Sequence, residues 1–105
     1  MRTTSSEPNL MQVNYTANAF ASLVSLINFI ESSNTSGAGV RWLLRYEAFL
    51  ENALMNPELI KLCNNNTFKR LGLRCIYYNE WVIAYSINQD EILIEALLHT
   101  SRIED

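Results

Sequence analysis

Residues Leu73 to Asp105 read LRCIYYNEWVIAYSINQDEILIEALLHTSRIED. Three runs rich in Ile, Val, Tyr, Trp and Leu are separated by Asn79-Glu80 and by Asn88-Gln89-Asp90, polar pieces of the length that antiparallel hairpins use. The stretch therefore predicts a three-stranded antiparallel meander. Side chains alternate across a strand. Trp81, Ile83, Tyr85 and Ile87 should share one face and Val82, Ala84 and Ser86 the other. The bulky face calls for a cover of helices. The small face would be the floor of a shallow groove open to a partner. In the first run Arg74, Ile76 and Tyr78 oppose Leu73, Cys75 and Tyr77. In the third, Leu93, Glu95, Leu97 and His99 oppose Ile92, Ile94, Ala96 and Leu98.

Upstream, Met11, Val13 and Tyr15 alternate with Gln12 and Asn14, which predicts a short strand over 10–15. Thr16 can cap a helix running to about Glu31, with Phe20, Leu23, Val24, Ile27 and Ile30 as its inner stripe. Ser32-Ser33-Asn34-Thr35-Ser36-Gly37 breaks that pattern, and Gly37-Ala38-Gly39 starts a second helix rather than a nucleotide-binding loop. That helix should run from Ala38 to Met55, with Val40, Leu43, Leu44, Leu50 and Leu54 inside and Arg41, Arg45, Glu51 and Asn52 in water. Trp42, Tyr46 and Phe49 either reach the first helix or form an exposed partner surface. The short linker implies an antiparallel pair of helices. Residues 57–68 are irregular: Glu58 to Cys63 allows one helical turn, and Asn64-Asn65-Asn66-Thr67 reads as a loop. Lys69-Arg70 brings two cations to the start of the sheet.

The chain has 105 residues, enough for one core, so a disordered tail over 1–9 and a single domain over 10–105 are expected. Met11 is a second candidate start. Hydrophobic residues make up 49% and charged residues 18%, with no apolar run near the ~20 residues of a membrane span and no apolar centre of a secretion signal in the first residues. A cytoplasmic protein is expected. The two cysteines, Cys63 and Cys75, have neither framework nor metal-ligand spacing and read as reduced thiols with Cys75 buried. The net charge of −3 argues against a role bound to RNA, where phosphate neutralisation supplies most nonspecific affinity.

The order of these pieces, with Leu73-Arg74, Trp81-Val82-Ile83-Ala84-Tyr85, Ile92-Leu93-Ile94 and Leu97-Leu98-His99, resembles the RelE/ParE toxin superfamily of bacterial type II toxin-antitoxin, or plasmid stabilisation, systems. The resemblance implies an α+β fold: a short N-terminal strand, an antiparallel helix hairpin, then a three-stranded antiparallel meander. RelE-like members cleave messenger RNA on the ribosome. That chemistry needs a base, a cation for the growing phosphate charge and an acid. The matching catalytic positions are Arg74 and His99, with Lys69, Arg70 and Arg102 for nucleic-acid or target binding. However, Val82 stands where such nucleases often carry arginine, and Ala96 stands where many relatives have a basic residue. The pattern Trp81 to Tyr85 with Leu98 to Arg102 is similar to ParE-like members, which bind and trap DNA gyrase. By resemblance the partners are a cognate antitoxin, touching Trp42, Tyr46 and Tyr78, and gyrase as target, or the ribosome if the chain is a nuclease. A homodimer is also compatible. An inactive member that still binds an antitoxin is a third reading. No cofactor, metal or membrane is called for.

Overall fold

The computed structural model describes residues 11–102, and the expected tail lies outside them. Strand β1 (Gln12–Tyr15) leads into helices α1 (Ala17–Ser33) and α2 (Ala38–Ala53). A 3-10 turn at Pro57–Leu59 and the short helix α3 (Asn66–Arg70) follow, and strands β2 (Arg74–Tyr78), β3 (Trp81–Asn88) and β4 (Glu91–His99) complete the fold before a 3-10 turn at Thr100–Arg102. The sheet order is β1-β4-β3-β2, with β2, β3 and β4 antiparallel and β1 parallel to β4. The meander expected from the sequence is there, joined by two-residue turns in which Asn79 and Gln89 have φ of 55° and 54°.

The bulky face is covered as expected. Ile76, Ile83, Tyr85, Ile92, Ile94 and Leu97 form one core with Ala19, Leu23 and Leu26 of α1 and Trp42, Tyr46 and Leu50 of α2. One expected face is corrected. Ala84 pairs with Ala96 but Tyr85 pairs with Ile94, so Glu95 is an extra residue in β4. Such a bulge reverses the alternation beyond it. Leu97 therefore joins Ile92 and Ile94 in the core instead of opposing them, and the Glu95 carboxylate accepts a hydrogen bond from Ser86 Oγ at 2.6 Å.

Both helix stripes are also rotated from expectation. Thr16 caps α1 by accepting from the Ala19 amide at 3.1 Å, and its own amide donates to Ile94 O at 3.0 Å. The start of α1 is thereby fixed on β4, with Ala19, Leu23 and Leu26 inward and Phe20 (55% exposed) and Val24 outward. In α2 the aromatic residues win the inside. Trp42 stacks on Tyr46 at 5.0 Å between ring centres, and Val40 and Leu44 are left exposed. Burying Trp and Tyr removes more apolar area than burying Val and Leu, which is the reason for that choice.

The helices approach closely where Gly39 meets α1: a Cβ there would lie 2.8 Å from Ile27 O. The Glu31 carboxylate at the end of α1 accepts from the amides of Gly37 and Gly39, at 2.9 and 2.8 Å, and so caps α2 across the linker. These amide hydrogen bonds hold the Glu31 pKa below its ordinary value.

The small face is not open. Residues 61–73 fold across it, and Cys63, Leu73 and Ala84 form a second buried cluster edged by Phe68, Cys75 and Ala96. The loop expected at 64–67 is partly helical. Asn65 caps α3 by accepting from the Phe68 amide at 2.9 Å, and the helix ends in a Schellman turn. In it Leu73 N donates to Phe68 O, Gly72 N donates to Lys69 O, and Gly72 takes φ of 77°. The reading of Cys63 and Cys75 as free thiols is overturned, because they form a disulfide. β2 lies beside the returning segment through a Leu62–Arg74 bridge, which brings the two cysteines together; spacing in the chain carries no sign of that pairing.

Candidate functional site

His99 ends β4 opposite Trp81, the first residue of β3, and the tight β2–β3 turn carries Glu80 to the same place. The Ser101 amide donates to His99 Nδ1 at 3.1 Å, so Nδ1 carries the lone pair and Nε2 the proton. His99 Nε2 is 2.9 Å from Glu80 Oε1, Ser101 Oγ is 2.8 Å from Nδ1, and the Trp81 ring meets the imidazole edge-on. The structure supplies His99 with two partners, Glu80 and Ser101. The available signal was the two-residue turn, which fixes Glu80 beside whichever β4 residue pairs with Trp81. The Glu80 side chain is 72% exposed, so its attraction to the imidazole is weak.

Arg74 does not sit beside this histidine. Arg74 pairs with Tyr85, four residues along β3 from Trp81, or roughly 13 Å at ~3.3 Å per residue. Its guanidinium donates through Nη1 to Ile60 O and ties down the chain that enters the 61–73 segment. Lys69 and Arg70 are exposed in the last turn of α3. Arg102, exposed in the turn after β4, lies at the end of the sheet where His99 is. Among the described residues no group of His, Cys, Asp or Glu side chains could hold a metal ion.

On the far side of the molecule, β1 and the outer face of α2 enclose a groove of about 620 Å³. Val13, Leu44 and Met55 line it and are exposed at 39%, 60% and 59%, while Tyr15, Leu54 and Ile92 form its base. Glu47 and Glu51 stand on its α2 wall. Tyr15 and Tyr46 join their hydroxyls at 2.8 Å under the wall, and burial raises both pKa values. Phe20 extends the apolar surface through an edge-on contact with the Tyr15 ring. Of the two readings of the α2 aromatics, packing holds for Trp42 and Tyr46, which are 7% and 0% exposed, so neither offers an open surface to a partner. Tyr78 is half-buried against Trp42, Tyr46 and Phe49. The groove is not legible in the sequence because the apolar periodicity of α2 puts Leu44 inside.

The family model of the ParE toxin of type II toxin-antitoxin systems, parDE, matches residues 13–104. The chain belongs to the ParE toxin family. A solved structure described as the chromosomal ParDE TA system from P. aeruginosa is similar in fold, with a TM-score of 0.69 at 10% identity over 87% of this chain and 97% of the other. No curated protein matches the sequence significantly. The α+β ParE-like architecture expected from the sequence is therefore found, with the sheet mixed because β1 runs parallel to β4. Among the described residues of this ParE-family chain, no helix is long and apolar enough to cross a membrane.

Proposed function

We propose that this ParE-family chain is a toxin that acts in the cytoplasm by binding a protein target, DNA gyrase by family resemblance, and is silenced by a cognate antitoxin. The observation that carries the binding mode is the separation of His99 from Arg74, whose guanidinium is held on Ile60 O. Cleavage of a phosphodiester needs base, acid and cation around one phosphate, and here Glu80 puts a carboxylate on the histidine instead. Under this reading Arg102, with Lys69 and Arg70, contacts the target electrostatically. The antitoxin covers the groove between β1 and α2, where exposed Val13, Leu44 and Met55 supply apolar area that a partner segment can bury. Trp42 and Tyr46 support that surface from beneath, and Tyr78 does so through its contacts with them.

The test is induced expression of the chain alone in bacteria, with growth, messenger RNA 5′ ends and plasmid supercoiling followed in the same culture. The expected result is arrest with intact messages and altered supercoiling, retained in His99→Ala. New cuts inside translated codons, lost in His99→Ala and Arg74→Ala variants that still fold, would overturn the proposal in favour of a ribosome-dependent nuclease. Absence of arrest with soluble folded protein would point to an inactive member that keeps only antitoxin binding.

A further inference from the structure

The geometry points to a thiol–disulfide latch: the Cys63–Cys75 bond holds residues 61–73 over the second face of the sheet, and its reduction by a dithiol releases that cover while the main core, with Ile60 packed on it, stays folded. The inference is independent of the toxin reading.

Two features make the cover separable. Its buried cluster of Cys63, Leu73 and Ala84 shares no buried residue with the larger core formed by α1, α2 and the opposite face of the sheet. Its outer surface is poorly packed, with Leu62 and Leu71 exposed at 44% and 66%. Apart from the disulfide, a short set of bonds fastens it. Cys63 N donates to Leu73 O at 2.9 Å, Cys75 N donates to Lys61 O at 3.4 Å, Tyr85 Oη donates to Pro57 O at 2.6 Å, and Arg74 holds Ile60 O. The Tyr85 and Arg74 bonds anchor the chain that enters it, at Pro57 and Ile60. At the other end Gly72, at φ of 77°, forms a natural pivot. Between them the disulfide is the covalent tie, joining residues 12 apart in sequence.

Cys63 is 1% exposed and Cys75 is half-buried, so Cys75 is the sulfur that a reductant can reach. A thiolate of the dithiol attacks Cys75 Sγ, a mixed disulfide forms, and Cys63 leaves as a thiolate that takes up a proton. The second thiol of the reductant then attacks the reductant's own sulfur in the mixed disulfide. Cys75 is released and protonated, and the reductant closes its own disulfide. Two electrons and two protons pass to the chain. Opening removes the cover from Ala84, now 0% exposed, and displaces Lys61, Lys69 and Arg70 with the segment. The oxidised and reduced chains would thus present different surfaces.

Hydrogen exchange read by mass spectrometry on the full chain, before and after dithiothreitol, tests this. The expected result is exchange faster by roughly 10- to 100-fold over 61–73 and in the facing amides of β2, with α1 and the β1–β4 pair unchanged; this range follows from the loop-closure entropy that one crosslink removes. Iodoacetamide should label Cys63 only after reduction. Unchanged exchange on reduction would overturn the latch, since packing alone would then hold the segment. Equal acceleration everywhere would overturn it too, because the bond would then stabilise the whole fold, as would two thiols already alkylated in air-oxidised protein. A Cys63→Ser/Cys75→Ser variant should resemble the reduced chain, and if it does not fold while the reduced wild type does, the wild-type comparison decides.

Discussion

At the scale of single residues, two glycines do different work. Gly39 is needed for space, since a methyl group there would press on the Ile27 carbonyl at 2.8 Å. Gly39→Ala should therefore destabilise the protein by about 1–3 kcal/mol through overpacking, although alanine favours a helix by nearly 1 kcal/mol over glycine. Gly72 is needed for conformation, because nothing lies within 4 Å of its Cβ position but its φ is +77°. Gly72→Ala should cost about 1–2 kcal/mol, and Gly72→Asn less, since asparagine tolerates that region. Urea midpoints of the three variants check the ordering. Tyr46, wholly buried and bonded to Tyr15, should lose about 1 kcal/mol as phenylalanine and 3–5 kcal/mol as alanine. His99 shows what residue-level reading misses: the histidine was singled out from the sequence, but its partners Glu80 and Ser101 depend on which strands pair.

Between elements, Glu31 links the two helices by capping α2 from the end of α1. The native state holds the carboxyl pKa below its ordinary 4.5, so the unfolded chain binds the proton more readily. The contribution is complete above pH 4.5 and is lost as the pH falls from there through the lower native value. Glu31→Gln should therefore be less stable than the wild type at pH 7, with the gap closing as the pH falls below 4.5; unfolding midpoints at several pH values measure it. The helices themselves were legible, including the Thr16 cap, but their inward faces only in part: Leu23, Leu50 and Leu54 are buried as expected, whereas Phe20, Val24, Val40 and Leu44 are exposed. Both were assigned a stripe beginning one or more residues away from the one that packs. Each helix has apolar residues on more than one side, and only docking on β4 chooses between Ala19 and Phe20, or between Trp42 and Leu44.

For the molecule as a whole, the surplus apolar residues became surface. Leu44 is 60% exposed beside the groove, so Leu44→Lys should change stability by less than about 0.5 kcal/mol. On the proposed function it should still weaken antitoxin binding by at least about tenfold, as truncating an interface anchor does. Titration calorimetry with the antitoxin peptide would measure the affinity and thermal melts the stability; unaltered affinity would move the antitoxin away from this groove.

The sequence by itself determined the element order, the hairpin turns, the bulky face of β3 and, through the order of those pieces, the family. These depend on local periodicity and turn chemistry, which need no knowledge of distant neighbours. Tertiary structure decided the bulge at Glu95, the covered second face, the Cys63–Cys75 bond and the His99 partners. Each of these depends on how strands pair or how a returning segment lies across the sheet. One extra residue reverses a strand's faces, and a cysteine's partner is whichever thiol the fold brings near.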